Sequence, residues 1–92
     1  MPYITKKRRG ELSEVTTLLR DDINGNPKSS GDLNYLITSM LDEYLSGNTS
    51  YSTINEVIGV LECCKLELYR RIAVPYENKK LEENGEVYDS IR

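Results

Sequence analysis

Residues 51–84, YSTINEVIGVLECCKLELYRRIAVPYENKKLEEN, decide the fold. Thr53 is followed three residues later by Glu56, the spacing at which a hydroxyl and a carboxylate each satisfy a backbone donor left free at a helix N-terminus. Asn84-Gly85 supplies the left-handed position that closes helices, and Lys79 and Lys80 place positive charge where the C-terminal end of a helix dipole favours it. Between these signals Ile54, Val57, Ile58, Leu61, Cys64, Leu68 and Ile72 recur on one stripe at helical spacing. The pattern predicts one long helix over 52–84, its stripe packed on the rest of the chain. Pro75 has no N–H and its ring crowds the carbonyl of Arg71, so the helix is expected to bend there, or to end and restart.

A second apolar set lies on the opposite side: Gly59, Cys63, Leu66, Arg70 and Val74, with Val60 beside it. A helix apolar on two sides needs two partners. In a chain of 92 residues the second partner is expected to be another copy of the same chain, with Gly59 and Cys63 small enough to let helices approach closely. The alternative is that the N-terminal segment covers both sides.

Outward from the long helix, residues 31–45 carry Leu33, Leu36, Ile37, Met40, Leu41 and Tyr44 at helical spacing, a core helix capped by Ser30 or Asp32. Asn34 and Tyr35 fall off that stripe, free for polar contacts. Before it, Asn24 to Gly31 is dense in turn formers and reads as a loop. A first helix is expected over 6–23, with Thr5 as its N-cap and Leu12, Val15, Leu19 and Ile23 as its periodic positions. Gly10 weakens it, and the basic run Lys6 to Arg9 has the wrong sign for the first turn of a helix. Such a run is either a solvated end or a contact for an anionic partner. The tail, 85–92, is short and charged. The whole is an all-α domain spanning 1–92, three helices with the third long and kinked at proline, assembled as a helical hairpin or small bundle into a homo-oligomer.

Composition closes several routes to function. There is no histidine in the chain, which removes the commonest general base, the Ser-His and Cys-His nucleophile pairs and most zinc sites. The two cysteines, Cys63 and Cys64, are neighbours on a helix, where their side chains diverge, and are expected as reduced core residues. Paired acids such as Asp21 and Asp22, or Glu62 and Glu67, are ordinary helix-surface groups. No P-loop, GxGxxG or CxxC occurs, so no catalytic residue, metal or cofactor is expected and the chain reads as a non-enzyme. A net charge of −3 argues against a general nucleic-acid binder. No apolar run is long enough to span a membrane and no signal peptide is seen, which places the chain in the cytoplasm.

What remains is a set of residue types suited to a planar anionic ligand. Arginine forks phosphates, tyrosine stacks on a base, and asparagine pairs with a base edge. Tyr3, Lys6, Arg8, Arg9, Asn34, Tyr35, Tyr69, Arg70, Arg71, Tyr76, Lys79 and Lys80 are of these types. Two copies of each in a symmetric oligomer suit the enclosure of a nucleotide or dinucleotide. Tyr69, Tyr76 and Lys80, at seven- and four-residue spacing, are expected on one side of the long helix.

The opening MPYITKKRR, the segment GDLNYLIT at Gly31 to Thr38, and residues 51–88, YSTINEVIGVLECCKLELYRRIAVPYENKKLEENGEVY, resemble an uncharacterised family of small helical proteins found widely in phage genomes. The resemblance supplies no activity; it implies a phage-encoded protein in the bacterial cytoplasm. Small helical phage proteins include nucleotide sponges that sequester the signalling nucleotides of bacterial defence systems such as CBASS and Thoeris. The link to them is analogy in size, helicity and origin, with no shared motif. The leading expectation is therefore a counter-defence protein that binds an immune signalling nucleotide, cyclic or ADP-ribose-derived, without chemistry. The other is a protein-binding adaptor or inhibitor that docks through an exposed apolar helix face.

Overall fold

The computed structural model describes residues 4–20 and 26–91, the side chain of Ile91 excepted, and divides the chain into two units, Met1–Tyr44 and Leu45–Arg92. Among the described residues every regular element is a helix.

In the first unit α1 (Lys6–Glu11) and α2 (Ser13–Leu19) replace the single expected first helix. Thr5 does cap α1, its hydroxyl accepting from the Arg8 N–H at 3.1 Å. The break comes at Leu12, which leaves helical geometry at φ −94, ψ 4 and whose N–H splits between the Arg8 and Arg9 carbonyls. A first turn with no acid and a glycine at position 10 leaves α1 little to hold a longer run. Ile23, the last periodic position expected of that helix, and the first two loop residues, Asn24 and Gly25, lie outside the described residues.

The next helix, α3, runs Ser30–Leu45. Its entry is one residue earlier than expected because Ser29 is the cap: its hydroxyl accepts from the Asp32 N–H and its carbonyl from the Leu33 N–H, both at 3.0 Å. The Asp32 carboxylate in turn takes the Lys28 N–H at 3.0 Å. Of the apolar positions, Leu36, Leu41 and Leu45 are half-buried and Leu33, Ile37, Met40 and Tyr44 are exposed. The expected core helix therefore buries none of its residues within the chain.

The second unit is dominated by one long helix, built of α4 (Tyr51–Leu68), a five-residue π turn (Tyr69–Ala73) and α5 (Val74–Asn84). At 1.5 Å per residue it is about 50 Å long. Its capping box lies three residues earlier than the Thr53–Glu56 reading: Ser50 is the cap and Thr53 the third helical residue. The Thr53 N–H donates to Ser50 Oγ at 3.2 Å and the Ser50 N–H to Thr53 Oγ1 at 2.9 Å. At the far end Gly85 takes φ 84, ψ 164 while its N–H bonds the Leu81 carbonyl at 2.8 Å. Those angles belong to a region almost exclusive to glycine, and they turn the tail back beside α5.

The proline is accommodated one turn before itself. The Val74 N–H donates to the carbonyl of Tyr69, five residues back rather than four. This wider turn removes the clash that a regular helix would force between the Pro75 ring and the Arg71 carbonyl, and the helix resumes in α5 with Pro75 in its first turn. The expected interruption is thus an insertion of one residue into the helical count. Its consequence is a change of register. Ile72, expected on the apolar stripe, is exposed, and the half-buried position of the turn is Ala73, its last residue.

Val57 alone among the described residues is buried, at 7% exposure. The other stripe residues, Ile54, Ile58, Leu61 and Leu68, are exposed. So are Cys63 and Cys64, both free thiols and neither a core residue as expected.

Candidate functional site

Six of the residues singled out for binding lie within twelve positions of the long helix, and the π turn decides how they are distributed. In a regular α-helix residues eight apart are rotated by about 80°, whereas with one inserted residue the offset falls to about 20°. Residues at i and i+8 across the turn therefore share a face, and residues at i and i+7 do not. Three faces result.

On the first, the Tyr69 hydroxyl donates to Glu77 Oε1 at 3.2 Å, eight residues on. The Glu77 carboxylate, accepting that proton and adding its charge, raises the Tyr69 phenol above its ordinary pKa of 10.0. Smaller contributions come from burial and from Tyr88. The returning tail borders this face. An open concavity of about 280 Å³ runs between Glu77, Lys80, Leu81 and Asn84 of α5 and Glu86, Val87 and Tyr88 of the tail.

On the second face Lys80 Nζ stands 5.7 Å from the centre of the Tyr76 ring and 3.2 Å from Glu83 Oε2. The expected row Tyr69–Tyr76–Lys80 is thereby corrected. Tyr76 and Lys80 keep company, but Tyr69 is turned away to Glu77 because the inserted residue shifts everything beyond it.

The third face carries Arg71 and Lys79, again eight apart. Both are exposed, and neither side chain makes an ion pair or hydrogen bond among the described residues. Their Cα atoms are separated by about 12 Å along the axis. Two unneutralised cations thus line one strip of helix. Arg70, next to Arg71, is rotated off that strip toward the side of Gly59, Cys63 and Leu66; it too is exposed and makes no ion pair among the described residues.

The first unit holds the others. Arg8 is paired with Glu11 at 3.3 Å, while Arg9 on the same short helix is exposed. Asn34 and Tyr35 border an open depression of about 460 Å³ with Ser30, Gly31 and Thr38, all from one face of α3. The Thr38 hydroxyl donates to Asn34 Oδ1 at 3.3 Å, which leaves the asparagine's NH₂ to donate outward. Tyr35 is 70% exposed. Tyr3 lies outside the described residues.

Sequence reasoning missed Glu77 as the partner of Tyr69 and Tyr88 as its neighbour. Eight-residue spacing carries no signal until a π turn is known to intervene, although Pro75 itself marks where the count must change. Among the described residues no group of three or more His, Cys, Asp or Glu is placed to hold a metal ion, and no helix is long and apolar enough to cross a membrane. The arrangement is one of exposed cations, phenols and an amide, chemistry suited to binding.

A family described as a domain of unknown function, DUF6899, matches residues 1–87. No curated protein and no solved structure matches the chain.

Proposed function

We propose that this chain, which belongs to the DUF6899 family, is a non-catalytic binding protein for a small nucleotide bearing two phosphates or a diphosphate, and that it works as a homo-oligomer. The observation that carries the reading is the Arg71–Lys79 strip, two exposed cations on one face of a helix, neither in an ion pair among the described residues. At about 12 Å between Cα atoms their long side chains meet neighbouring phosphates more readily than a single one. Tyr76 and Lys80 on the adjoining face offer a ring for a base and a further positive charge. The biological setting we propose is phage counter-defence: the protein sequesters an immune signalling nucleotide, cyclic or ADP-ribose-derived, and returns it chemically unchanged.

A second reading is favoured by a specific observation. Val60 and Leu66 of α4 are 50% and 53% exposed, beside the exposed Gly59 and Cys63, an apolar surface that a protein partner would cover, as an adaptor or inhibitor requires.

Isothermal titration with ADP-ribose and with cyclic di-AMP as probes separates the two. The nucleotide reading expects at least one probe to bind and to be recovered intact. Arg71→Ala then weakens it by about ten- to a hundredfold, the loss of one charge-assisted hydrogen-bonded contact of about 1.5–3 kcal/mol, with helicity unchanged by circular dichroism. Affinity equal in wild type and Arg71→Ala retires the cation strip as the site. Absence of heat with either probe moves the weight to the adaptor.

A further inference from the structure

We infer that the long helix pairs antiparallel with the same helix of a second copy, through the face bearing Ser52, Glu56, Gly59, Cys63, Leu66 and Arg70. This deepens the homo-oligomer of the preceding reading by assigning its surface and direction, and it does not depend on the nucleotide. These six positions follow one another at steps of four, three, four, three and four, the spacing that keeps a seam facing a partner helix. The centre of the seam is small. A Cβ built at Gly59 would meet nothing within 4 Å, so nothing among the described residues calls for a glycine there, although glycine is unfavourable in mid-helix. A close helix crossing does call for one.

Charge then chooses the direction. Glu56 lies toward the N-terminal end of the seam and Arg70 at its C-terminal end, beyond the small residues. Parallel pairing in register sets Arg70 against Arg70 of the other copy and Glu56 against Glu56, like charges at both ends. Antiparallel pairing that crosses between Gly59 and Cys63 brings each Arg70 within one helical turn of the other copy's Glu56. The Arg70 side chain is exposed and without an ion pair among the described residues, and a carboxylate accepts more than one donor. Leu66 and Val60, both about half exposed in the single chain, lie beside the crossing and are covered by it. Arg70 is in this way the association residue and Arg71 the ligand residue, neighbours in sequence turned to different tasks by the helix.

Sedimentation equilibrium between about 1 and 100 µM tests the association, and a spin-label distance tests its direction. Wild-type protein is expected to be dimeric in this range. Arg70→Glu weakens the dimer at least tenfold, and Arg70→Glu with Glu56→Arg recovers it. A label on Tyr51→Cys in a Cys63→Ser, Cys64→Ser background reports the geometry, Tyr51 being 83% exposed in the single chain. Antiparallel pairing puts the two labels about 30 Å or more apart by helix rise; a parallel pair puts them below about 20 Å. A wild-type monomer throughout, a short label distance, or an association indifferent to Arg70→Glu overturns the inference. A dimer that ignores ADP-ribose and cyclic di-AMP retires the nucleotide reading and leaves this one standing, whereas a monomer that binds them does the reverse.

Discussion

Tyr69 is the residue whose chemistry is most directly altered by its surroundings. Its hydroxyl donates to Glu77, and the neighbouring negative charge makes the phenolate harder to form. The folded state therefore favours the neutral phenol, so the stability this pair contributes is fully present below the ordinary value of 10.0 and is lost as pH rises through the raised value in the folded chain. Spectrophotometric titration near 295 nm is expected to resolve one tyrosine above the ordinary range. Glu77→Gln should return that tyrosine toward the ordinary value, and Tyr69→Phe should delete the step; a high-titrating tyrosine that survives Tyr69→Phe would assign the shift elsewhere. Gly85 offers a second test at this scale. Its φ of 84 with ψ 164 suits no residue with a side chain, even though a Cβ would meet nothing within 4 Å. Gly85→Ala is expected to cost about 1–3 kcal/mol of backbone strain, read as faster amide exchange in residues 86–91 while α4 keeps its protection. Gly85 was legible in the sequence as a helix stop, because only glycine has that freedom. The Tyr69–Glu77 pair was not, because eight is not a helical spacing.

The long helix shows what periodicity can and cannot deliver. Its existence and its end at Asn84 follow from apolar spacing and the Asn-Gly pair, and the structure has both. Its capping pair lies three residues earlier than expected, since Ser50 and Thr53 make a reciprocal cap as well as Thr53 and Glu56 would have done. Ser50→Ala should therefore lower helix stability by about 1 kcal/mol, measured by thermal or urea unfolding, and Glu56→Ala should not act through the cap. The π turn was the element that spacing alone could not reveal. Proline announces that something must yield, but a bend, a break and a wider turn all answer the same steric demand. If the turn exists to accommodate Pro75, then Pro75→Ala restores a donor and removes the clash. The helix beyond it should rotate back by about one residue, or about 100°, which separates Tyr69 from Glu77 and brings the high-titrating phenol down toward the ordinary range. An unchanged titration in Pro75→Ala would show the turn to be held by something other than proline. The first helix failed as a single element for an equally local reason. Gly10 and a basic first turn could shorten it, but their strength relative to tertiary packing is not written in the sequence.

For the whole molecule the central fact is how little apolar surface the described residues bury. A stripe on α4 with Val57 as its one buried residue, and a helix α3 with none, leave many Leu, Ile and Val side chains of both units exposed, among them Leu18, Leu33, Ile37, Ile58, Leu66 and Leu68. The amphipathic pattern was legible because each helix carries it; what it packs against was not, because periodicity specifies a face and not its occupant. Burial by association is the proposed resolution, and an anionic ligand is the proposed counterpart of Arg71 and Lys79, which make no ion pair among the described residues. Native mass spectrometry of the protein purified from bacteria with an active nucleotide-signalling defence, followed by heat release and analysis of what is bound, tests that account most directly. The expected spectrum is a discrete oligomer carrying a nucleotide with two phosphates or a diphosphate, released unaltered, and Arg71→Ala purified in parallel is expected to keep the oligomer and lose the cargo. An empty protein that also gains no adduct when millimolar ADP-ribose and cyclic di-AMP are added would contradict it.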